Sequence, residues 1–445
     1  MKRNLVRLVT LGCPKNRADA EDIAGILKND GFSVTEDDVP TESVILLTCS
    51  FVRDAEEESV AFVQSLIDEK KSGKFKTLIV AGCFPQRHRD ENLRDALSEV
   101  DAWLGAHDYD RVSSVVRGVG EGFHYDALSH QAGYLPGKIK RKKLGDEPFA
   151  YVKISEGCSN RCAYCTIPMI RGDFRSRRMS DIVDECAYLV EEQGVKELVL
   201  VGQDTAIYGS DLYGRSKLAL LLKKTAKRIG KAWLRVMYSH PAHFQPDVLD
   251  AVAENSNICP YLDIPIQHAA DSVLERMDRH YSRAELEELI IRIRNRLPHA
   301  VLRTTVMVGF PGETKAEFQE LLKFIKWARF ERLGAFPYSR EEGTKAYSMR
   351  PQVSSGVKEK RLDEVMTLQQ EISWEIQQER IGKELYVLVD GYANDREGWV
   401  FARSMFDAPE VDGGIYINNS RLKPGNIVKV KIVDALPYDL EGELI

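Results

Sequence analysis

Cys158, Cys162 and Cys165 stand in one run from Ile154 to Pro168. Gaps of three and two residues oblige a single short loop to carry three thiols to a common point. Three thiolates are enough to hold three irons of a four-iron, four-sulfur cluster and leave the fourth iron open to a small molecule. A structural zinc site needs four ligands, and no other Cys or His lies between His130 and Cys186. A disulfide would leave an odd thiol. The spacing therefore points to an open cluster, and to chemistry more than to architecture.

The flanking sequence supplies material for such a site. Length sets the scale: 445 residues correspond to about two to four domains. A hydrophobic fraction of 43% with 29% charged residues suits a globular protein with more than one core. The amino-terminal run enters a strand-like alternation directly, and no apolar stretch is long enough for a signal peptide or a membrane span. A cytoplasmic, reducing location without a membrane partner is the expectation, and there eight cysteines serve as metal ligands more readily than as staples. A net charge of −6 gives no global argument for a nucleic-acid binder.

Four segments are expected. In residues 1–126, apolar runs at Leu5–Leu11, Val44–Leu47 and Thr77–Ala81 are each followed by a helix-like stretch, such as Asp54–Lys71. That alternation predicts a doubly wound parallel α/β sheet. Residues 127–147 read as a linker, with Pro136, Gly137 and a basic run at Lys138, Lys140, Arg141, Lys142 and Lys143. The run is expected to be a solvated hinge, with a substrate or phosphate contact as the alternative. Residues 148–373 give six strands, at Tyr151–Ile154, Glu197–Val201, Trp233–Tyr238, Tyr261–Ile266, Leu302–Val308 and Leu333–Tyr338. Helical patterns such as Ser180–Glu192 and Ala316–Ala328 separate most of them, which predicts a partial (β/α)6 barrel with its chemistry at the carboxyl ends of the strands. Residues 374–445 read as short strands, Leu385–Val389, Trp399–Phe401, Gly414–Ile417 and Ile427–Ile432, split by turns. A small β-barrel like those that often bind RNA is expected.

Cys13, Cys49 and Cys83 each close a predicted strand of the first segment. In a parallel sheet all three emerge at one carboxyl edge, where ligands gather at the switch point. Gly12 and Gly82 would let the backbone approach a bulky ligand. Three small buried thiols at strand ends are the alternative. Cys186 and Cys259 have no such context and read as structural.

The triad, with Tyr164 before Cys165, resembles the signature of the radical S-adenosylmethionine superfamily. Leu11–Asn16, Gly157–Pro168, Arg171-Gly172, Arg175–Arg177, Met277–Tyr281 and Val308–Thr314 resemble the methylthiotransferases of that superfamily, and the closing β module resembles a TRAM domain. Cys13–Asn16 and Ala408–Gly413 are similar to the RimO-like branch, which modifies an aspartate of small-subunit ribosomal protein twelve. The MiaB-like branch modifies an adenosine of tRNA and is the second reading; a non-catalytic iron–sulfur electron carrier or RNA-binding module is the third. Charge gives a separate argument. Residues 375–445 hold 8 Lys and Arg against 13 Asp and Glu, which suits a basic protein partner better than RNA.

The resemblance implies two [4Fe-4S] clusters, one on Cys158, Cys162 and Cys165 and one on Cys13, Cys49 and Cys83. It implies that S-adenosylmethionine chelates the open iron of the first, and that one electron, from a reductant such as flavodoxin or ferredoxin, yields a 5′-deoxyadenosyl radical. It also implies cofactor contacts at Tyr164, Gln203 and Gly309, and a sulfur carried on the second cluster to the β-carbon of the aspartate.

Overall fold

The computed structural model describes residues 4–123, 126–137 and 141–445. The first sheet contains β1 (Leu5–Thr10), β2 (Ser33–Thr35), β3 (Ser43–Thr48), β4 (Thr77–Gly82) and β5 (Ala102–Gly105). Its order is β2-β1-β3-β4-β5, and every pairing is parallel. Alternation along the strands divides the core. Ile45 and Leu47 pack with the helices Pro14–Asn29 and Val112–Gly120, whereas Val44 and Leu46 pack with Arg53–Lys71 on the other face. The order reverses between β1 and β3, so the switch point lies between the strands that Cys13 and Cys49 follow. β2 and β5, of three and four residues, are too short to show a period in the sequence.

The second sheet holds β6 (Phe149–Lys153), β9 (Glu197–Val201), β10 (Trp233–Val236), β11 (Ile258–Asp263), β12 (Val301–Val308) and β13 (Arg332–Pro337), in consecutive order and all parallel. A two-stranded ribbon, β7 (Ser155–Glu156) with β8 (Arg175–Ser176), brackets the cysteine loop. No pairing joins β13 to β6 among the described residues, so the barrel is open as expected. Ala150, Val152, Leu198 and Leu200 meet the outer helices. Their neighbours Tyr151, Val199 and Val201 face inward, where they meet Ala408, Met405 and Phe406 of the C-terminal module.

That module is a closed barrel of β14 (Glu384–Tyr392), β15 (Val400–Ser404), β16 (Ile415–Ile417), β17 (Ile427–Ala435) and β18 (Leu440–Leu444). The long helix Ser355–Gln378 leads into it. Its acidic residues are partly committed to the open barrel. Asp407 pairs with Arg332 at 2.6 Å and Asp412 accepts from Tyr261 at 2.7 Å, while the module's own Arg403 donates to Glu197 of β9 at 2.7 Å. Part of the excess negative charge read from the sequence is therefore internal.

The basic run needs a correction. Lys138 and Lys140 lie outside the described residues. Arg141 is not solvated: it is buried and paired with Glu21 and Glu185, both at 2.9 Å. Nor is the rest of 127–147 a free hinge, since Ala127 bridges to β5 and Tyr134 and Leu144 join the first core. Cys186 and Cys259 are fully enclosed in apolar clusters.

Glu197 lies between two buried guanidinium groups, Arg235 at 2.7 Å and Arg403 at 2.7 Å. Removing one member of such a group leaves uncompensated charge. Glu197→Ala is expected to destabilise docking of the module by about 3–5 kcal/mol, read as a lower melting temperature and faster proteolytic release of the C-terminal barrel.

Candidate active site

Both cysteine sets emerge where strands end. Cys13, Cys49 and Cys83 follow β1, β3 and β4, and none of the three is in a disulfide. Gly12, at φ +90°, is in contact with this set: a Cβ there would lie 2.8 Å from Cys49 Cβ. Gly82, at φ +100°, is held against the backbone of Thr48. Both glycines thus serve close packing between strand ends. Burial, and then the neighbouring Cys83, pushes the Cys49 thiol up to about 12. Burial also raises Cys83, against the opposing pull of Arg171.

Cys158, Cys162 and Cys165 follow β6 and the short strand β7. Cys158 N–H donates to Gly172 O and Cys165 N–H to Cys162 O, both at 3.0 Å, which closes the loop on itself. Gly157, at φ +74°, has no room for a side chain, because a Cβ would meet Asp173 O at 2.2 Å. Burial, and then the charge of Cys162, pushes Cys165 up to about 12; burial raises Cys158 to about 11. Such thiols must lose their protons to bind iron, so loading releases protons.

Each set has a buried arginine on one sulfur. Arg279 Nη1 lies 3.4 Å from Cys162 Sγ, and its other nitrogens are anchored on Tyr281 Oη at 2.8 Å and Pro265 O at 2.7 Å. Arg171 Nη2 lies 3.3 Å from Cys83 Sγ and 2.9 Å from Asn16 Oδ1, while its Nη1 holds Asp19 at 2.8 Å. A fixed cation beside a sulfur favours the thiolate. Both arginines belong to runs noted in the sequence, but their roles depend on contacts across 88 and 117 residues that no local pattern shows.

Contacts join the loops that carry the two sets. Lys153 pairs with Asp19 and Glu156, both buried. Glu156 also accepts from Gln203 at 2.9 Å and Arg171 at 3.4 Å. Burial pushes Glu156 up, but Lys153 and Arg171 outweigh it and hold the carboxyl below its ordinary range. Thr166 on the triad loop donates to Phe51 O beside Cys49 at 2.9 Å. Glu341, after β13, accepts from Arg53 N–H and Arg87, both at 2.8 Å.

The three expected cofactor contacts occupy the mouth of the open barrel. Tyr164 packs edge-on to Phe310, with ring centroids 6.5 Å apart. Gln203 gives its amide N–H to Glu156, and its Oε1 is buried without a partner among the described residues. Gly309, at φ +72°, is approached by Lys358, whose Cγ would lie 2.3 Å from an added Cβ. Asp204, His240 and His243 form a further polar group that no spacing in the sequence marks. Asp204 accepts from Asn160 of the triad loop at 2.9 Å and meets His243 Nδ1 at 2.7 Å. Burial, and then Arg279, pushes His240 down to about 2, so its imidazole is neutral. Arg161, Tyr238, Asp278 and His280 all adopt left-handed backbone, at φ 54°, 64°, 57° and 53°. Such conformations concentrate at functional loops.

An open parallel barrel with a three-cysteine loop after its first strand defines a radical S-adenosylmethionine enzyme, a class that carries a [4Fe-4S] cluster and uses S-adenosylmethionine. The model of the Radical SAM superfamily matches residues 152–325, that of the uncharacterized protein family UPF0004 residues 5–105, and that of the TRAM domain residues 381–445. The fold is similar to TsrM, a radical S-adenosylmethionine methyltransferase from Kitasatospora setae, with TM-score 0.60 at 14% identity over 89% of this chain and 80% of that one. Two relatives are similar over nearly their whole length. The ribosomal protein uS12 methylthiotransferase RimO of Thermoanaerobacter sp. is 42% identical over 98% of this chain and 99% of its own. That of Pelotomaculum thermopropionicum is 43% identical over 99% of both. The chain belongs to the RimO family of methylthiotransferases.

Arg171 touches four groups from both halves of the cleft. Arg171→Ala is expected to cost about 3–5 kcal/mol by leaving buried carboxylates short of a partner, measured by denaturant unfolding of the apoprotein. Arg171→Lys should recover little of this, because an ammonium cannot reproduce the planar fork.

Proposed function

We propose that this protein adds a methylthio group to the β-carbon of an aspartate in ribosomal protein uS12. In this reading Cys158, Cys162 and Cys165 hold the radical-generating [4Fe-4S] cluster, and Cys13, Cys49 and Cys83 hold a second. The observation that carries it is the joining of two free three-thiol sets, each with a buried arginine on one sulfur, by Arg171 and by the Thr166–Phe51 bond. A donor set of three thiolates with a fixed counter-cation suits an iron–sulfur cluster with one open iron. When bound, the clusters and S-adenosylmethionine supply a 5′-deoxyadenosyl radical and a methylated sulfur.

The chain's own residues do the rest. Arg279 and Arg171 offset thiolate charge and fix the two loops. Tyr164 and Phe310 give an apolar wall, and Gln203 Oε1 and His240 Nε2 give unpartnered buried polar atoms for the cofactor. The Gly309 loop, held by Glu313 through Phe310 N–H at 3.0 Å, offers backbone for the adenosine. Holding the cofactor and the sulfur within one cleft, shielded from water, provides the orientation that attack on an unactivated C–H bond requires.

Residues 1–126, 148–373 and 374–445 act as sulfur-carrying, radical-generating and partner-reading parts, with 127–147 between the first two. Contact with ribosomal RNA falls to the TRAM-like barrel, where Tyr386 and Tyr392 are 63% and 58% exposed on β14, in the manner of stacking platforms. Flavodoxin or ferredoxin supplies the electron, and the reaction takes place in the cytoplasm. No described helix is long and apolar enough to cross a membrane.

Anaerobically reconstituted protein is expected to hold about eight irons and to give, with reductant, S-adenosylmethionine and uS12, a peptide carrying a methylthio group on aspartate. Methylthio-adenosine in tRNA with uS12 unmodified would transfer the assignment to the other branch. The Cys13/Cys49/Cys83 triple alanine variant should hold about four irons and make no methylthio product; retained transfer would refute the second-cluster role.

A further inference from the structure

Lys15 has no counter-charge where its neighbours all have one. It follows Cys13 by two residues, in the first turn of the helix Pro14–Asn29. Its Nζ lies 3.4 Å from the centroid of the Tyr238 ring, which projects from the end of β10 across the cleft. Burial lowers its ammonium from the ordinary lysine range, opposed by Cys13 on one side and by Asp263 and Glu156 on the other, so it stands between the two halves of the site. It makes no hydrogen bond or ion pair among the described residues.

The carboxylates around it are committed elsewhere. Asp263 binds Arg303 at 2.8 Å and Tyr238 N–H at 2.9 Å. Glu156 is taken by Lys153, Arg171 and Gln203. Lys153, Arg171 and Arg303 each have an acidic partner; Lys15 rests on an aromatic face. A ring face restrains an ammonium without neutralising it. The arrangement is that of a cation held ready for a carboxylate that the chain does not provide.

Taking the methylthiotransferase reading as its basis, we propose that Lys15 binds the side-chain carboxylate of the substrate aspartate, with the Tyr238 ring holding its ammonium in place. The reacting β-carbon is bonded to the carboxylate carbon. Any group that grips that carboxylate must therefore lie beside the sulfur donor, and Lys15 is adjacent to the Cys13 turn. An ammonium enclosed by the substrate loses water, and a carboxylate compensates for that loss far better than an amide or a neutral base does. Lys15 would thus select acid over amide.

The test uses anaerobic holoenzyme with S-adenosylmethionine and no reductant. Fluorescence anisotropy measures binding of a uS12 peptide containing the target aspartate and of its Asp→Asn counterpart. Wild type is expected to prefer the aspartate peptide by about tenfold to a hundredfold, the usual worth of a charge-assisted hydrogen bond. Lys15→Gln should bring the ratio to near one, and Lys15→Arg should keep most of it. A Lys15→Gln protein with the wild-type ratio, or a wild type without preference, overturns the proposal. If Lys15→Gln takes up less iron than wild type, Tyr238→Leu decides: a ratio lowered severalfold supports the proposal and an unchanged one refutes it. A wild type that, once reduced, leaves the aspartate peptide unmodified defeats the functional reading and this inference together. A wild type that modifies it while the variants keep their ratio defeats this inference alone.

Discussion

The buried charge group of Asp19, Lys153, Glu156 and Arg171 is the interaction on which the rest of the site depends. Asp19 belongs to the helix that begins at the Cys13 turn, and the other three belong to the open barrel and its loops. All four are at most 2–3% exposed. Taking four charges out of water is costly, and their mutual attraction offsets this only if the geometry is kept. The network is therefore weak as a source of stability but strong as a source of register. If the two sheets shift relative to each other, the buried charges lose their partners.

That constraint explains why the arginines, more than the cysteines, set the architecture of the cleft. Cysteine pairs and triads can be placed on any loop. A guanidinium that donates at once to a sulfur, an amide and two carboxylates, as Arg171 does, fixes the loop that carries it against a particular face of another domain. Arg279 does the same within the barrel, where Tyr281 and Pro265 hold it against Cys162.

Much of this was legible in the sequence, for identifiable reasons. The apolar runs that became β1, β3, β4 and the six barrel strands are long enough to show a pattern, and their ends were found to within a few residues. The strand β18 (Leu440–Leu444), which closes the barrel between β16 and β17, leaves no such pattern, because Leu-Glu-Gly-Glu-Leu carries little apolar signal. Both cysteine sets were readable from spacing and strand context. Their arginine partners were not, since hydrogen bonds across 88 or 117 residues leave no local trace. The basic stretch misled in the opposite direction. Composition made Arg141 look solvated, while Glu21 and Glu185, remote in sequence, bury it.

The insertion of Met405, Phe406 and Ala408 into the inner face of the open barrel has a consequence for distance. Glu197 and Arg332, which help to lock that insertion, stand at the first residues of β9 and β13, whereas the cysteine loop follows the last residue of β6. The C-terminal barrel is thus not a tethered hook free to search. It is an arm of fixed length, clamped at the amino ends of the strands, while the cysteine loop lies at their carboxyl ends. Whatever grips the arm is held at a set span from the cleft, so the molecule carries its own ruler for how far a target residue must reach.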